Sequence, residues 1–153
     1  STDFIIGEVS LDKVVREAIH KYARLFVRKK IKLELNPIDI QVLTDEKWLE
    51  FVIEQILSNA IKYTAGGTIS IYLKEEPEKE TKELIIEDTG IGIAPEDLPR
   101  IFEKGYTGYN GHADKRSTGI GLYLCRKIMR KLSHEITIES EIGKGTRVHL
   151  RLQ

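Results

Sequence analysis

The feature that most constrains the fold is a long amphipathic helical pattern that follows Thr44 and Asp45. Its apolar residues recur at intervals of three and four, Thr44 and Asp45 offer an N-cap, and Gly66-Gly67 is predicted to end the helix. The apolar positions are Trp48, Leu49, Val52, Ile53, Ile56, Leu57, Ala60 and Ile61. A helix with one continuous apolar face forms one layer of a packed domain.

Two further helices and several short strands complete the predicted elements. Helical spacing covers residues 11–30 and again runs from about Gly119 to Leu132, whereas alternating apolar residues predict strands. The predicted strands span residues 31–35, 38–43, 68–74 and 83–87, and a final hairpin crosses Gly143-Lys144-Gly145. The charged residues 75–82 are predicted to form a solvated loop tip. Hairpins outnumber βαβ units, so we expect an α+β fold: a two-layer α/β sandwich with one mixed sheet and helices on one face.

Length and charge limit the organisation and the partners of the chain. The 153 residues suit one domain over residues 1–153. The 24 Lys and Arg residues balance 24 Asp and Glu residues. This balance argues against a partner held by bulk charge, so we expect no nucleic-acid partner and no anionic membrane surface. The one cysteine, Cys125, cannot form an internal disulfide, which fits a reducing cytosol.

Four polar segments carry residues suited to binding a nucleotide, and the first lies at the end of the long helix. Gln55, Asn59 and Lys62 share the face opposite most of the apolar residues, and Tyr63 follows them. An amide oxygen, an ammonium group and an aromatic ring can hold a metal ion, a phosphate and a base. An ordinary polar helix face is the alternative interpretation.

The second segment, Asp88-Thr-Gly90-Ile-Gly92-Ile93, places a carboxylate at the end of a predicted strand and two glycines directly after it. A carboxylate accepts from an exocyclic amine, and glycine lets a flat ring approach the main chain. A simple turn between strand and loop explains the same residues.

The third and fourth segments have features suited to phosphate groups. Ser117-Thr118-Gly119-Ile-Gly121-Leu122 precedes a helix, where bare backbone N–H groups hold anions. In the fourth, Phe102 and Lys104 precede a polar, glycine-bearing stretch that is suited to a flexible lid over a phosphate chain. Many surface loops have the same composition. The basic residues that follow in this stretch are Lys115 and Arg116.

In this order, the four segments resemble the N, G1, F and G2 boxes of the Bergerat-fold ATP-binding superfamily, which includes DNA gyrase B, the Hsp90 chaperones, histidine kinases and the MutL proteins. Gly143-Lys144-Gly145-Thr146 resembles a further glycine motif that histidine kinases carry before the last strand. The resemblance spans the chain from about Leu11 to the C-terminus and implies the Bergerat fold with a flexible ATP lid.

The residue at position 55 discriminates within the superfamily. Members that hydrolyse ATP with water, and the anti-sigma-factor serine kinases, carry Glu at this position of the N box, whereas this chain has Gln55. An amide cannot take a proton from water. Histidine kinases more often have Asn there, so Gln55 departs from their commonest pattern but keeps the amide.

We therefore identify the chain, by resemblance, as the catalytic and ATP-binding domain of a two-component sensor histidine kinase. The Gln55-Ile-Leu-Ser-Asn59 box and the Gly105-Tyr-Thr-Gly108 lid resemble the intramembrane-sensing kinases of the bacitracin and antimicrobial-peptide type.

The resemblance implies a role for each matching residue, with ATP and Mg²⁺ as cofactors. Asn59 would bind the magnesium ion, and Lys62 would contact the phosphate chain. Gly119 and Gly121 would present backbone amides to the phosphates, with Thr118 as the helix cap and Leu122 in the same box. A cationic contact to the γ-phosphate would fall to a basic residue of the lid. The candidates for it are Lys104, Lys115 and Arg116.

The remaining implied roles concern the adenine. Tyr63 would pack near the base, and Asp88 would accept from its exocyclic amine. Gly90 and Gly92 would let the base approach, and Ile93 would line the pocket. Two further residues complete the implied site, Thr146 through water near the adenine and Phe102 as the lid anchor.

The implied function is transfer of the γ-phosphoryl group of ATP to a histidine on a separate dimerisation domain, with a response regulator downstream. No histidine here has the acceptor pattern of the family, and we assign no catalytic residue in this chain. We expect the acceptor helices and the sensor before Ser1, in a homodimeric bacterial plasma-membrane protein whose monomeric cytoplasmic part is this chain. The alternative is a non-catalytic nucleotide-binding regulatory or scaffold domain of the same fold. The histidines are His20, His112, His134 and His149.

Overall fold

The structure, a computed structural model, describes residues 3–106 and 121–153. The strands in this part are β1 Ile6–Ser10, β2 Lys32–Leu35, β3 Gln41–Asp45, β4 Thr68–Glu76, β5 Thr81–Asp88, β6 Glu135–Glu141 and β7 Gly145–Arg151. The helices are α1 Leu11–Lys21, α2 Ala23–Arg28, α3 Glu46–Lys62 and α4 Gly121–Lys131, with 3-10 turns at Pro77–Lys79 and Leu98–Arg100. Among these described elements, no helix is long and apolar enough to cross a membrane.

Five strands form one mixed sheet in the order β2-β4-β5-β7-β6. The β2–β4 pair is parallel, and the other neighbours are antiparallel. Helices α1, α3 and α4 pack side by side, and α3 and α4 lie against β5 and β6. Their apolar residues and those of the sheet form one core. The predicted α+β sandwich with helices on one face is confirmed.

The register of the sheet explains where its apolar side ends. Residues that pair across neighbouring strands form rows on the helix-facing side. Two rows are apolar: Leu35, Ile71, Ile86, Val148 and Ile138, and Leu73, Leu84, Leu150 and Ile136. The next row changes from apolar to polar in the middle of the sheet: Leu33, Ile69, Asp88, Thr146 and Ser140. The polar half of this row marks one corner of the sandwich.

Asp45 caps the N-terminus of α3 and also binds the backbone of Ile5, close to Ser1. One of its carboxylate oxygens accepts from the Trp48 N–H at 2.9 Å and the other from the Ile5 N–H at 2.7 Å. The N-cap prediction at Asp45 is therefore confirmed. The Ile5 contact leads into β1, which pairs with β3 in a separate two-stranded sheet. The sequence patterns missed β1 and placed β3 too early, at residues 38–43.

Three other predicted boundaries were wrong. The helix predicted over residues 11–30 is two helices, because Tyr22 leaves helical geometry between α1 and α2. Helix α3 ends at Lys62, four residues before Gly66, whose positive φ of 67° lies in the following turn. The predicted loop tip at residues 75–82 is too long, because residues 75–76 and 81–82 belong to β4 and β5, where opposite charges pair across the strands, and the exposed tip spans residues 77–80. The paired residues are Lys74 with Glu83 and Glu75 with Lys82.

Helices α1 and α3 meet along a charged seam with three levels, four residues apart on each helix. The outer levels are ion pairs, Lys13–Glu46 at 3.8 Å and Lys21–Glu54 at 3.1 Å. The middle level instead pairs Glu17 with Glu50. Burial, followed by the hydrogen bond and the charge of Glu17, raises the pKa of Glu50 to about 7. Below that pH, Glu50 is protonated and can donate a hydrogen bond to Glu17.

This seam predicts how stability depends on pH. Because the folded pKa of Glu50 lies above its ordinary value, the proton on Glu50 stabilises the fold fully below pH 4.5, and this contribution is lost as pH rises to about 7. The variant Glu50→Gln donates to Glu17 at every pH, so its stability relative to the native chain rises between these values. Urea unfolding from pH 4 to pH 8 measures the difference. Glu78→Gln, at the exposed tip of the β4–β5 hairpin, is the control and shows no such rise.

Candidate functional site

Asp88 lies at the corner where the apolar side of the sheet ends. Its side chain is only 8% exposed, and one carboxylate oxygen accepts from the Gly90 N–H at 2.8 Å. Burial raises the pKa of Asp88, whereas the backbone N–H groups of Gly90 and Thr146 favour the charged form. The Thr64 hydroxyl also lies close enough to favour that form. A buried carboxylate held in this way is suited to a specific donor on a ligand.

The Thr64 hydroxyl is the second notable polar group at this corner. Its oxygen is fully buried, and it completes no hydrogen bond of good geometry with any other described residue. A buried hydroxyl without a partner is costly, so such a group usually bonds to water or to a ligand. Asp88 and Thr64 together therefore offer a polar anchor at the end of the apolar core.

The two glycines after Asp88 pack against the protein's own backbone, whereas the resemblance implies that they make room for the base. A Cβ atom on Gly90 would lie 2.3 Å from the Tyr63 carbonyl oxygen. On Gly92, which has a φ of 78°, it would lie 2.2 Å from the Glu141 carbonyl oxygen. The missing side chains thus face the protein's own backbone. Glycine is required here because three backbone segments approach one another closely.

Hydrogen bonds fix residues 89–93 on both sides. On one side, the Ile91 N–H donates to the Tyr63 carbonyl at 3.1 Å, at the end of α3. On the other side, the Ile93 N–H donates to the Ser140 hydroxyl at 2.8 Å. The loop is therefore held between the end of α3 and the β6–β7 hairpin, so its shape exists before any ligand binds.

Ser140 also fixes the orientation of Thr146. Its hydroxyl donates to the Gly145 carbonyl at 2.9 Å and lies 2.8 Å from the Thr146 hydroxyl. Because Ser140 has one hydroxyl proton, Thr146 must be the donor in the second contact. The Thr146 oxygen keeps free lone pairs, which can accept from a ligand or from water.

The polar face of α3 lies beside the first turn of α4. Close to Gly121 is the amide oxygen of Gln55, 3.1 Å from where a Cβ on that glycine would be. One turn further along α4, the Cys125 thiol lies 4.0 Å from the Val52 carbonyl. The two helices are thus antiparallel, and the N-terminus of α4 points along α3 toward Asn59. The described parts of the first and third segments are adjacent in space.

Several other predicted site residues are partly exposed. Asn59, Tyr63, Ile93 and Leu122 are all half-buried, which leaves surface for a ligand. Lys62 is half-buried too, and its ammonium group lies 5.7 Å from the Tyr63 ring centre.

Phe102 and Lys104 of the fourth segment lie close to side chains of α4. Phe102 packs against the core, and the Arg126 guanidinium lies 5.0 Å from its ring centre. The Lys104 ammonium lies 5.8 Å from the ring centre of Tyr123. Phe102 is therefore an anchor of this segment on α4. Four predicted site residues, Lys115, Arg116, Thr118 and Gly119, lie outside the described residues, as does His112.

The described histidines in or next to the sheet make contacts within the fold. His134 is buried, and one of its ring nitrogens pairs with the Thr44 hydroxyl at 2.9 Å. On the open face of the sheet, the ring of His149 lies between the carboxylates of Glu83 and Glu139. Both rings are engaged in structural contacts.

Sequence reasoning missed Thr64 and Ser140. Ser140 had a readable signal: it follows Ile136 and Ile138 in the β6 alternation, so a hydroxyl stands where the pattern expects an apolar residue. Thr64 had no local signal, because its importance comes from Asp88, which lies in a different strand.

The chain matches the family described as histidine kinase-, DNA gyrase B-, and HSP90-like ATPases over residues 44–153. It therefore belongs to this family. The matched residues include α3, the Asp88 loop, α4 and the final hairpin.

The similar sequences include two bacterial sensor proteins. The chain is 40% identical over 147 residues to the sensor histidine kinase YxdK of Bacillus subtilis, covering 95% of this chain and 45% of YxdK. It is 38% identical over 144 residues to the sensor protein BceS of the same organism, covering 94% of this chain and 42% of BceS. The chain thus spans less than half the length of these relatives and is homologous to sensor histidine kinases.

A solved structure supports the fold. The mycobacterial sensor histidine kinase MprB matches with a TM-score of 0.81 and 22% identity, over 97% of each chain. At this identity the match shows the fold, which is that of a histidine kinase catalytic domain.

Substitution of two glycines in the β6–β7 turn tests how tightly this hairpin packs on the Asp88 loop. Gly143 and Gly145 both have positive φ, but a Cβ on Gly145 would lie 1.9 Å from the Asp88 carbonyl oxygen, whereas nothing lies within 4 Å of one on Gly143. We expect Gly143→Ala to cost about 1–2 kcal/mol of unfolding free energy from backbone strain alone. Gly145→Ala should cost more than about 3 kcal/mol because it also displaces the loop. Equal losses in urea unfolding would contradict the packing described.

Proposed function

We propose that this domain binds Mg-ATP and passes the γ-phosphoryl group to a histidine on a separate dimerisation domain of a sensor histidine kinase. The observation that carries the proposal is the buried Asp88 carboxylate, fixed by backbone N–H groups beside the buried Thr64 hydroxyl. The membership of the ATPase family and the homology to sensor kinases support it.

The adenine would bind at the corner formed by Asp88 and the two segments that hold its loop. The charged Asp88 would accept from the exocyclic amine, and the buried Thr64 hydroxyl beside it would bond to the base or to a water. Tyr63 and Ile93 are half-buried and would contact the ring, and the free lone pairs of Thr146 would accept from a bridging water. Gly90 and Gly92 pack on the protein backbone and not on the base. The Asp88 carboxylate and the rigid loop that holds it would therefore recognise the base.

Asn59, through Mg²⁺, and the start of α4 would bind the phosphates. Mg²⁺ is held by one or two protein oxygens together with phosphates and water, and the half-buried Asn59 amide supplies such an oxygen. When bound, the ion would neutralise phosphate charge. The N-terminal end of α4, which points toward Asn59, provides the positive end of a helix dipole for the same groups. The residues present therefore fit Mg-ATP.

Gln55 favours transfer to a protein acceptor over hydrolysis. Its amide lies beside Gly121 at the start of α4, close to where the phosphates would sit, and it cannot act as a general base. Phosphoryl transfer mainly requires positioning and charge neutralisation. The acceptor histidine would come from the part of the longer protein that this chain does not span. As in a sensor kinase, that protein would be a homodimer at the bacterial plasma membrane, with a response regulator as its partner and this domain on the cytoplasmic side.

Isothermal titration with a non-hydrolysable ATP analogue tests the binding step. We expect the native chain to bind and Mg²⁺ to strengthen binding. Asp88→Asn should weaken it by about tenfold or more, because a charged hydrogen bond is lost. Asn59→Ala should remove most of the gain from Mg²⁺. The controls Asp39→Asn and Asn36→Ala, both exposed, should bind as the native chain does. Absence of binding by the folded native chain at millimolar ligand contradicts the proposal.

Transfer itself requires a second assay. A purified dimerisation domain from the same longer protein, incubated with this chain and γ-labelled ATP, should acquire label in an acid-labile bond. Binding without any transfer would instead favour the non-catalytic nucleotide-binding domain.

A further inference from the structure

The end of α2 is fixed by backbone hydrogen bonds. Lys30 adopts a left-handed φ of 57°, its N–H donates to the Val27 carbonyl at 3.1 Å, and the Ile31 N–H donates to the Phe26 carbonyl at 2.9 Å. This pair of bonds is a Schellman motif, in which Lys29 is the C-cap residue. The backbone of Lys29 therefore has one defined position next to the start of β2.

From this position, the Lys29 side chain reaches the end of α3. Its ammonium group donates to the carbonyl of Ile61 and, at 3.0 Å, to the carbonyl of Lys62. Both carbonyls belong to the last turn of α3, where the Ile61 carbonyl also accepts from the Thr64 N–H at 3.4 Å. A cation also interacts favourably with the negative end of the helix dipole. Lys29 thus caps α3 from a residue 32 positions earlier in the chain.

The main chain of Lys29 holds the residues that follow α3. Its carbonyl accepts from the Gly66 N–H at 3.0 Å. The turn between Lys62 and Gly66 is therefore held at both ends by one residue. This turn contains Tyr63, whose carbonyl accepts from the Ile91 N–H and packs on Gly90, and Thr64, whose hydroxyl faces Asp88.

We propose that Lys29 is a positioning residue for the nucleotide site: by clamping the end of α3 and the turn after it, Lys29 sets the position of Tyr63 and Thr64 relative to Asp88. Lys29 itself contacts neither Asp88 nor its loop through any bond described here; it acts through the turn. Its influence on nucleotide affinity rests on the proposed function, whereas its effect on the turn does not.

The ammonium charge, and not only the aliphatic stem, performs this role. Both contacts are made by the nitrogen, and burial lowers the pKa of Lys29, as expected for an ammonium group partly removed from water. An apolar side chain of the same length would leave the two carbonyls without this donor. Arginine keeps the cation and can donate to helix-terminal carbonyls as well.

The test compares Lys29→Met, Lys29→Gln and Lys29→Arg with the exposed control Arg28→Met, which removes a cation from the last turn of the same helix. Amide hydrogen exchange without nucleotide is measured first. We expect Lys29→Met to speed exchange at Tyr63, Gly66 and Ile91 by about tenfold more than at the β5–β7 strands. Lys29→Gln should show the same local pattern and serves if Lys29→Met does not fold. Lys29→Arg and Arg28→Met should leave the pattern close to native.

Titration with the Mg-bound ATP analogue is the second readout. Lys29→Met or Lys29→Gln should weaken binding by about five- to tenfold, with recovery in Lys29→Arg. Exchange that rises evenly over the whole domain, or native affinity in both neutral variants, overturns the proposed role. If the native chain does not bind the analogue, the proposed function fails, and the exchange pattern still decides whether Lys29 holds the turn.

Discussion

The close approach of three backbone segments around Asp88 is the constraint on which the site depends. The end of α3, the loop after β5 and the β6–β7 hairpin approach so closely that Gly90, Gly92 and Gly145 have no room for a Cβ atom. Hydrogen bonds from Ile91 and Ile93 then join the loop to both neighbours. As a result, the carboxylate is held in place by main chain, which has few alternative conformations.

The same packing explains why the site lies at this corner of the sandwich. Along the sheet, apolar rows support the helices until Asp88, Thr146 and Ser140 replace them on three adjacent strands. Polar groups there are partly removed from water, so each needs a partner and each discriminates among ligands. Antiparallel packing of α3 and α4 places the N-terminus of α4 along the same edge. Base recognition and phosphate recognition would thus share one edge of the fold.

Sequence patterns correctly predicted the features that depend on residues close together in the chain. The apolar face of α3, the Asp45 cap and the final hairpin all follow from spacing within a few residues, and each is confirmed. The contact between Lys29 and α3 joins residues 32 positions apart, and β1 pairs with β3 across α1, α2 and β2, so neither has a local signal. Asp88 was found from its neighbours, but the reason for its glycines became clear only from the backbone of other segments.

The most direct test of the account follows the amide signals of the ¹⁵N-labelled domain during titration with a Mg-bound, non-hydrolysable ATP analogue. If the nucleotide binds at Asp88, saturable shifts should be largest at residues 88–93, at Tyr63 and Thr64, at Thr146 and at Gly121. The open face of the sheet, around Tyr72 and His149, should change little. Largest shifts on that open face or on the β1–β3 pair, or no saturable change in the folded domain, would contradict the assignment of the nucleotide site to Asp88.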